Sequence, residues 1–528
     1  MEALPLDLLM FAVLCVTVVS GAPIAFVLAG TAAFFGVLGW WLGVLNFNLL
    51  GALPTRVFGT MNSETLVAIP LFVFMGMILT RARIAEDLLR TMGTLFGNMR
   101  GGLGISVTVV GALLAASTGI VGATTVTMGV MALPVMLRYG YGPAFSSGVI
   151  CAAGTLGQII PPSTVLIIMG EVLSSAYQQA QHSQGNFAAG TISLGELFAG
   201  ALMPGLMLVG IYIVYQLFVA LIRPDVAPAM SAEVVARDMG VEREDAKLGQ
   251  VLGSLFPPLA LIVAVLGSIL GGIATATEAA AVGAVGATLL AGIRVGRNKW
   301  ALWVSVGSMA ILMFMAANFD LRPGAPGTSL FDRPQIAVAI AIAIALAGAV
   351  ALAVIWYELG RSGILVPAMG STARTTSMIF TIIIGAILFS LVFRGLGGEH
   401  RIKELLESAP GGAHGAMIAV LVLIFFLGLF LDYVEISIIA IPVIGPPILA
   451  GGIDPIWFGV LVALVLQTSF LTPPVGYTLA YLRSVAPRSV TTGIIWKGAL
   501  PFVGLQLLAV VIVYFVPGIA TWLPSRLF

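Results

Sequence analysis

The feature that most constrains this chain is its habit of running for 20 residues or more without an ionisable group. The stretches 8 to 55, 101 to 137, 139 to 170, 197 to 222 and 498 to 525 are all of this kind. A helix needs about 20 apolar residues to cross roughly 30 Å of hydrocarbon, so these runs read as membrane spans. Only 9% of the 528 residues are charged, where soluble proteins carry about 25%. A soluble globular enzyme is therefore excluded. The net charge of +1 offers no basic face for nucleic acid. Cys15 and Cys151 lie inside apolar runs as small hydrophobes, and His182, His400 and His414 are too scattered for a metal centre. The acidic N-terminus MEALPLDLL does not read as a cleavable signal peptide.

The loops between spans fall on two sides. Those at 81–100, 138, 223–247, 294–299, 358–374 and 483–497 hold 17 of the 24 Lys and Arg, so the positive-inside rule makes that side cytoplasmic. The assignment works only if 101–137 enters and leaves on the cytoplasmic side, and the stretch around 412–453 does the same from the opposite side. Each is then expected to be a re-entrant hairpin. The first bends at Ser117 to Thr125 and the second at Leu431 to Glu435, where glycine or polar residues interrupt apolar sequence. Such a tip is tolerated at membrane depth only inside protein or beside a water-filled cavity.

A similar sequel follows each hairpin. Leu133-Pro134 leads to Gln158-Ile159-Ile160-Pro161-Pro162-Ser163, and Ile441-Pro442 leads to Thr468-Ser469-Phe470-Leu471-Thr472-Pro473-Pro474-Val475-Gly476. Paired prolines remove two amide donors and clash with the preceding turn, so each pair either breaks its helix near mid-membrane or kinks it. Two copies in matched context, in halves of opposite orientation, favour the break and carry the signature of an inverted-repeat secondary transporter. An unwound segment offers carbonyls to a cation, and Thr118, Thr124, Thr125, Ser163, Thr468, Ser469 and Thr472 add hydroxyl oxygens that suit a hard ion such as sodium. Asp432 stands out, because a carboxylate at an intramembrane tip is costly without a counter-charge. It reads first as a cation ligand and second as a tip acid in contact with water, with Glu435 one turn on. Glu278 reads as a functional acid or as the third residue of a helix cap. No Walker loop or nucleophile elbow appears, so no ATP site is visible.

Several strings together resemble the large membrane subunit, DctM-like, of the tripartite ATP-independent periplasmic (TRAP) transporters. They are Gly119 to Thr124, Arg138-Tyr139-Gly140-Tyr141, Gly154 to Ser163, Leu197 to Gly205, Thr277-Glu278-Ala279-Ala280, Leu431-Asp432, Gly452-Ile453-Asp454-Pro455 and Leu471 to Gly476. The resemblance implies an elevator-type importer in the bacterial inner membrane. It further implies sodium as the coupling ion, no other cofactor, and no enzymatic activity. The implied partners are a separate small four-helix membrane subunit and a periplasmic solute-binding protein, and the implied cargo is an organic acid or similar small polar solute. It places cation sites at Thr118, Gly119, Thr124, Thr125, Asp432, Thr472 and Gly476, and substrate or broken-helix positions at Gln158, Pro161, Pro162, Ser163, Thr468, Pro473 and Pro474. Where many members have a Ser-Gly-Ser-Ser tip, this chain has Thr118-Gly119-Ile120-Val121. A stand-alone anion carrier and an integral membrane enzyme are the competing readings.

The expected architecture is all-α and polytopic, with two re-entrant hairpins and two broken helices. Scaffold and arm helices occupy 1–100, and a first transport repeat 101–196 holds the hairpin 101–137 and the broken helix 142–173. Further scaffold helices fill 197–300, an inserted pair of spans 301–357, and a scaffold helix 358–411. The second transport repeat, 412–497, holds the hairpin 412–453 and the broken helix 455–482, and a C-terminal helix takes 498–528. Tyr177 to Ile192 is expected to be an uncharged polar periplasmic loop.

Overall fold

The computed structural model describes residues 5–96, 99–187, 190–229, 248–296, 298–318 and 333–528, and among them every regular element is a helix. The first ten are α1 (Leu6–Val19), α2 (Ile24–Trp41), α3 (Leu53–Met61), α4 (Glu64–Arg81), α5 (Ile84–Phe96), α6 (Gly102–Thr118), α7 (Val121–Arg138), α8 (Pro143–Thr155), α9 (Thr164–Ser183) and α10 (Leu194–Ile222). Six follow as α11 (Leu248–Leu270), α12 (Ala276–Val295), α13 (Lys299–Asn318), α14 (Arg333–Arg361), α15 (Leu365–Gly395) and α16 (Gly398–Glu407). Six more are α17 (Gly412–Leu427), α18 (Tyr433–Ile439), α19 (Ile441–Ala450), α20 (Pro455–Leu471), α21 (Tyr477–Val485) and α22 (Thr492–Phe515), after which come two four-residue helices, Gly518–Thr521 and Pro524–Leu527.

Eight described helices are long and apolar enough to cross a bilayer, so the chain is a multi-pass membrane protein. The pair α18 and α19 meets at 56°. Helices α6, α17 and α20 have 17, 16 and 17 residues, or roughly 25 Å at 1.5 Å per residue, short of a full crossing.

Local chemistry sets many boundaries. The chain turns between α1 and α2 at Gly21, in the left-handed region at φ +79°, and Pro23 precedes the first turn of α2. At the start of α12, Thr275 and Glu278 form a reciprocal capping box, in which the Glu278 carboxylate accepts from the Thr275 amide at 2.8 Å. Of its two readings, Glu278 takes the helix cap.

Three stretches expected as loops are helical. Within 81–100, residues 84–96 form α5, whose Leu88, Leu89 and Met92 are buried on one face against α6. Within 358–374, α14 runs on to Arg361 and α15 begins at Leu365. The polar segment from Tyr177 continues α9 to Ser183, because Ala176 and Ala180 keep a buried stripe packed on α19. Only the residues after Ser183 connect it to α10.

The helices pack as two groups. In one, α4 lies along α12 and α15, and α15 along α2. In the other, α8 packs on α6, α7 and α22, while α9 packs on α18, α19 and α20. Helix α10, expected with the middle scaffold, lies along α6, α20 and α22 of the second group. The groups meet where α4 touches α6 and α9, and where α15 touches α18. The inserted helices α13 and α14 pair with each other around a small separate cluster of Met315, Ala337 and Ala341.

Within a bilayer, helix association relies on close van der Waals packing rather than on transfer from water. The contact of α8 with α22 shows this at Gly148 and Gly498. A Cβ on Gly498 would lie 1.9 Å from the Ala144 carbonyl oxygen, and one on Gly148 would lie 2.1 Å from that of Gly498. Both obstacles are backbone and cannot swing aside. Gly498→Ala is expected to cost about 3 kcal/mol, the upper part of the overpacking range, and to lower the unfolding temperature in detergent markedly. An unchanged melting curve would show that the two helices do not approach this closely.

Candidate functional site

The two hairpin tips face the two breaks. At the first tip α6 ends on Gly119, left-handed at φ +59°, and α7 begins two residues later. A Cβ on Gly119 would sit 3.1 Å from the Thr164 amide and 3.4 Å from the Pro162 carbonyl oxygen. The tip therefore rests on the break between α8 and α9. Thr164 seals the contact, its hydroxyl donating to the Gly119 carbonyl at 2.8 Å. Helix α8 passes through a single turn at Leu156–Gln158 and stops, and helix resumes at Thr164 after Pro161-Pro162-Ser163. The sequence-expected break is thus present.

The second tip repeats the arrangement. Helix α17 ends before Gly428, where a Cβ would lie 2.1 Å from the Ser469 hydroxyl at the end of α20. The Tyr477 hydroxyl, just past the second break, donates to the Phe430 carbonyl at 2.8 Å. Helix α20 stops at Leu471, Thr472-Pro473-Pro474-Val475-Gly476 is non-helical, and α21 starts at Tyr477. Both Pro-Pro bonds, 161–162 and 473–474, are cis. Two contacts join the halves crosswise. The Tyr433 hydroxyl lies 3.4 Å from that of Thr164, and the Tyr481 ring lies against Gly122 in α7.

The oxygen chemistry at the first tip is distinctive. Thr118 and Thr124 are buried with their hydroxyls 3.0 Å apart, and each also contacts a carbonyl of its own helix or tip. Thr125 is fully buried, yet its hydroxyl has no partner among the described residues, and it presses on Gly154, where a Cβ would be 2.0 Å away. Gln158 is also fully buried, with neither amide atom partnered. A buried unsatisfied polar group costs about 1–3 kcal/mol, so these groups stand to gain most from a ligand. Ser163, Thr468, Ser469 and Thr472 donate their protons to the carbonyls of Gln158, Leu464, Leu466 and Thr468 at 2.7–2.9 Å. With the proton committed, each of these hydroxyls can offer only lone pairs to a ligand. A donor set of hydroxyl and carbonyl oxygens suits a hard cation.

Asp432, half-buried, opens α18 as its cap. Its Oδ1 accepts from the Tyr433 amide at 2.6 Å, and Glu435 accepts from the Asp432 amide at 2.8 Å. Both acids thus belong to one reciprocal capping box. Among the described residues no group of three His, Cys, Asp or Glu is placed to hold a metal.

One polar cluster escaped the sequence reading. Thr155, Gln467, Gln506 and Tyr212 come from four helices and meet in the core between the broken helices. Gln467 and Gln506 both donate to Thr155, at 3.1 and 3.0 Å, and Gln506 also donates to Tyr212 at 2.7 Å. The available signal was glutamine inside charge-free spans, since amides in hydrocarbon need partners.

A transporter family model, the DctM component of the tripartite ATP-independent periplasmic transporters, matches residues 10–318 and 309–519. The chain belongs to this DctM family. Among its relatives, the C4-dicarboxylate TRAP transporter large permease protein DctM of Vibrio cholerae is 28% identical over 88% of this chain and 86% of that protein. The isethionate TRAP transporter permease protein DctMQ of Oleidesulfovibrio alaskensis is 28% identical over 98% of this chain and 66% of its own length. The crystal structure of the Alcanivorax borkumensis YdaH transporter matches 97% of this chain and 98% of its own at a TM-score of 0.51 and 15% identity, a likeness of fold alone. As a DctM-family chain, the protein is a transporter permease component and not an enzyme.

Proposed function

We propose that this DctM-family chain is the large subunit of a sodium-coupled, binding-protein-dependent importer in the bacterial inner membrane, carrying a small organic acid or similar polar solute. The observation that supports it best is the matched pair of tip-and-break contacts, each lined by hydroxyl or carbonyl oxygens, with the Thr125 hydroxyl buried and unpartnered in the first. On this reading the hairpins are re-entrant. Cations bind at Thr118, Gly119, Thr124 and Thr125 on one side and at Asp432, Thr472 and Gly476 on the other. The solute sits beside Gln158, Ser163 and Thr468, and the second helix group moves as an elevator against the first. A small membrane subunit and a periplasmic binding protein complete the assembly, a division in keeping with the fused name of the Oleidesulfovibrio relative. Relatives named for C4-dicarboxylates, isethionate and ectoine support a small solute bearing a carboxylate or sulfonate group and no finer choice.

Uptake into proteoliposomes, with the small subunit and binding protein supplied, tests the reading. Transport is expected to stop when external sodium is replaced by choline with the pH gradient collapsed. Uptake that continues unchanged overturns sodium coupling, and uptake that needs no binding protein favours a stand-alone carrier.

A further inference from the structure

Between the two helix groups lies a cavity of about 450 Å³. Its walls include Arg56 and Thr60 of α3, Glu171 and Ser175 of α9, and Ser390 and Arg394 of α15. Glu171 stands eight residues beyond Ser163, about 12 Å along α9 from the first break, toward the end that the charge distribution assigns to the periplasm. The polar wall thus lies beyond the tip-and-break oxygens, toward which Ile168 and Ile438 form the apolar side of the cavity.

The charges in this cavity are unevenly matched. Arg394 is engaged on two sides: its Nε lies 2.9 Å from Glu399, and its other face donates to Gln179 at 2.5 Å. Gln179 in turn donates to Glu399 at 2.6 Å, which closes the triangle. Glu171 accepts from the Ser63 hydroxyl at 3.1 Å. The Arg56 guanidinium has no hydrogen bond or ion pair among the described residues, while its backbone carbonyl accepts from the Thr60 hydroxyl at 3.0 Å. Partial burial and the neighbouring Arg394 hold its guanidinium below its ordinary basicity, while Glu399 acts the other way. The cavity thus presents one uncommitted guanidinium, with hydroxyls of Thr60, Ser175 and Ser390 and the Glu171 carboxylate around it.

We infer that this cavity is an admission subsite for a small water-soluble carboxylate, which Arg56 takes by its planar fork while Glu171 and the hydroxyls receive the polar remainder of the solute. A guanidinium matches a carboxylate through two parallel N–H donors, which a hydroxyl cannot reproduce. Solutes with a carboxylate and a hydroxyl or ammonium group fit best, because Glu171 then finds a donor. The inference rests on the importer reading for the direction of travel, and it adds a stop on the path before the broken helices.

The test needs no uptake. Ser175→Cys, exposed on α9, is made on a background with Cys15 replaced, Cys151 being fully buried, and reconstituted in phosphatidylcholine vesicles without net headgroup charge. Its labelling rate is measured with an anionic and with a cationic methanethiosulfonate of similar size. Arg56→Gln is expected to lower the anion-to-cation rate ratio about tenfold, since one unit charge acts in opposite directions on the two reagents, and Arg56→Lys is expected to preserve it. Millimolar lactate, which has one carboxylate and one hydroxyl, is expected to slow labelling in the Arg56 protein and not in Arg56→Gln, with neutral lactamide without effect in either. Thr60→Cys, on the facing wall, repeats the measurement should Ser175→Cys misfold. A ratio insensitive to Arg56→Gln overturns the inference, as does equal protection by lactate and lactamide. Loss of sodium coupling in the uptake assay would leave this result standing, so the two readings fail separately.

Discussion

Asp432→Asn is expected to leave the protein folded in the membrane and to reduce sodium-dependent uptake at least tenfold. The change keeps volume and keeps the cap, because asparagine serves at a helix N-terminus about as well as aspartate, and its oxygen can still accept from the Tyr433 amide. Glu435 retains its own bond to the backbone of residue 432. What disappears is one negative charge. Against a monovalent cation about 4 Å away that charge is worth about 4 kcal/mol at an effective dielectric of 20, and about 1.4 kcal/mol of it suffices for a tenfold change. Melting in sodium-free detergent should barely move, while the sodium concentration for half-maximal uptake rises. A variant with a normal sodium curve would assign Asp432 to capping alone.

Thr125→Val separates the two meanings of an orphaned hydroxyl by sign. Valine keeps the branched shape of threonine and puts a methyl group where the hydroxyl oxygen faces Gly154, so the substitution removes the polar atom at a small steric cost. If the hydroxyl is merely buried and unpaired, its removal relieves about 1–3 kcal/mol and the variant is more stable with unchanged transport. If it ligates the coupling cation, the sodium-free protein is still stabilised, but sodium no longer raises its melting temperature as far and half-maximal uptake needs about tenfold more sodium. The second outcome is expected. Sodium-dependent melting measured beside uptake decides it, and an unchanged sodium response would remove Thr125 from the site.

Much of this architecture was legible in the sequence because its causes are local. Charge-free runs report the solvent that a segment meets, and the proline pairs at 161–162 and 473–474 interrupt their helices, whereas Pro257-Pro258 and Pro446-Pro447 stay inside α11 and α19. A glycine such as Gly119 marks the place where the chain turns left-handed. Thr275 and Glu278 announced their cap by spacing alone. Helix ends were less legible where hydropathy stood in for packing. The uncharged residues 177–183 looked like a loop by polarity, yet they hold the helix because Ala176 and Ala180 find α19.

The sequence by itself determined the apolar runs, the proline pairs and the glycine- and oxygen-bearing residues at the tips, since each depends on a residue and its near neighbours, while the fold decided which two of the proline pairs break a helix. Only the tertiary structure decided which tip rests on which break, that α10 joins the second helix group, and that Thr155 gathers Gln467 and Gln506 from 312 and 351 residues away. It alone left Arg56 uncommitted in a cavity while committing Arg394 to Glu399. The physical reason is that a polar group in a low-dielectric interior must find a partner, and nothing in its local sequence names a partner that lies on another helix.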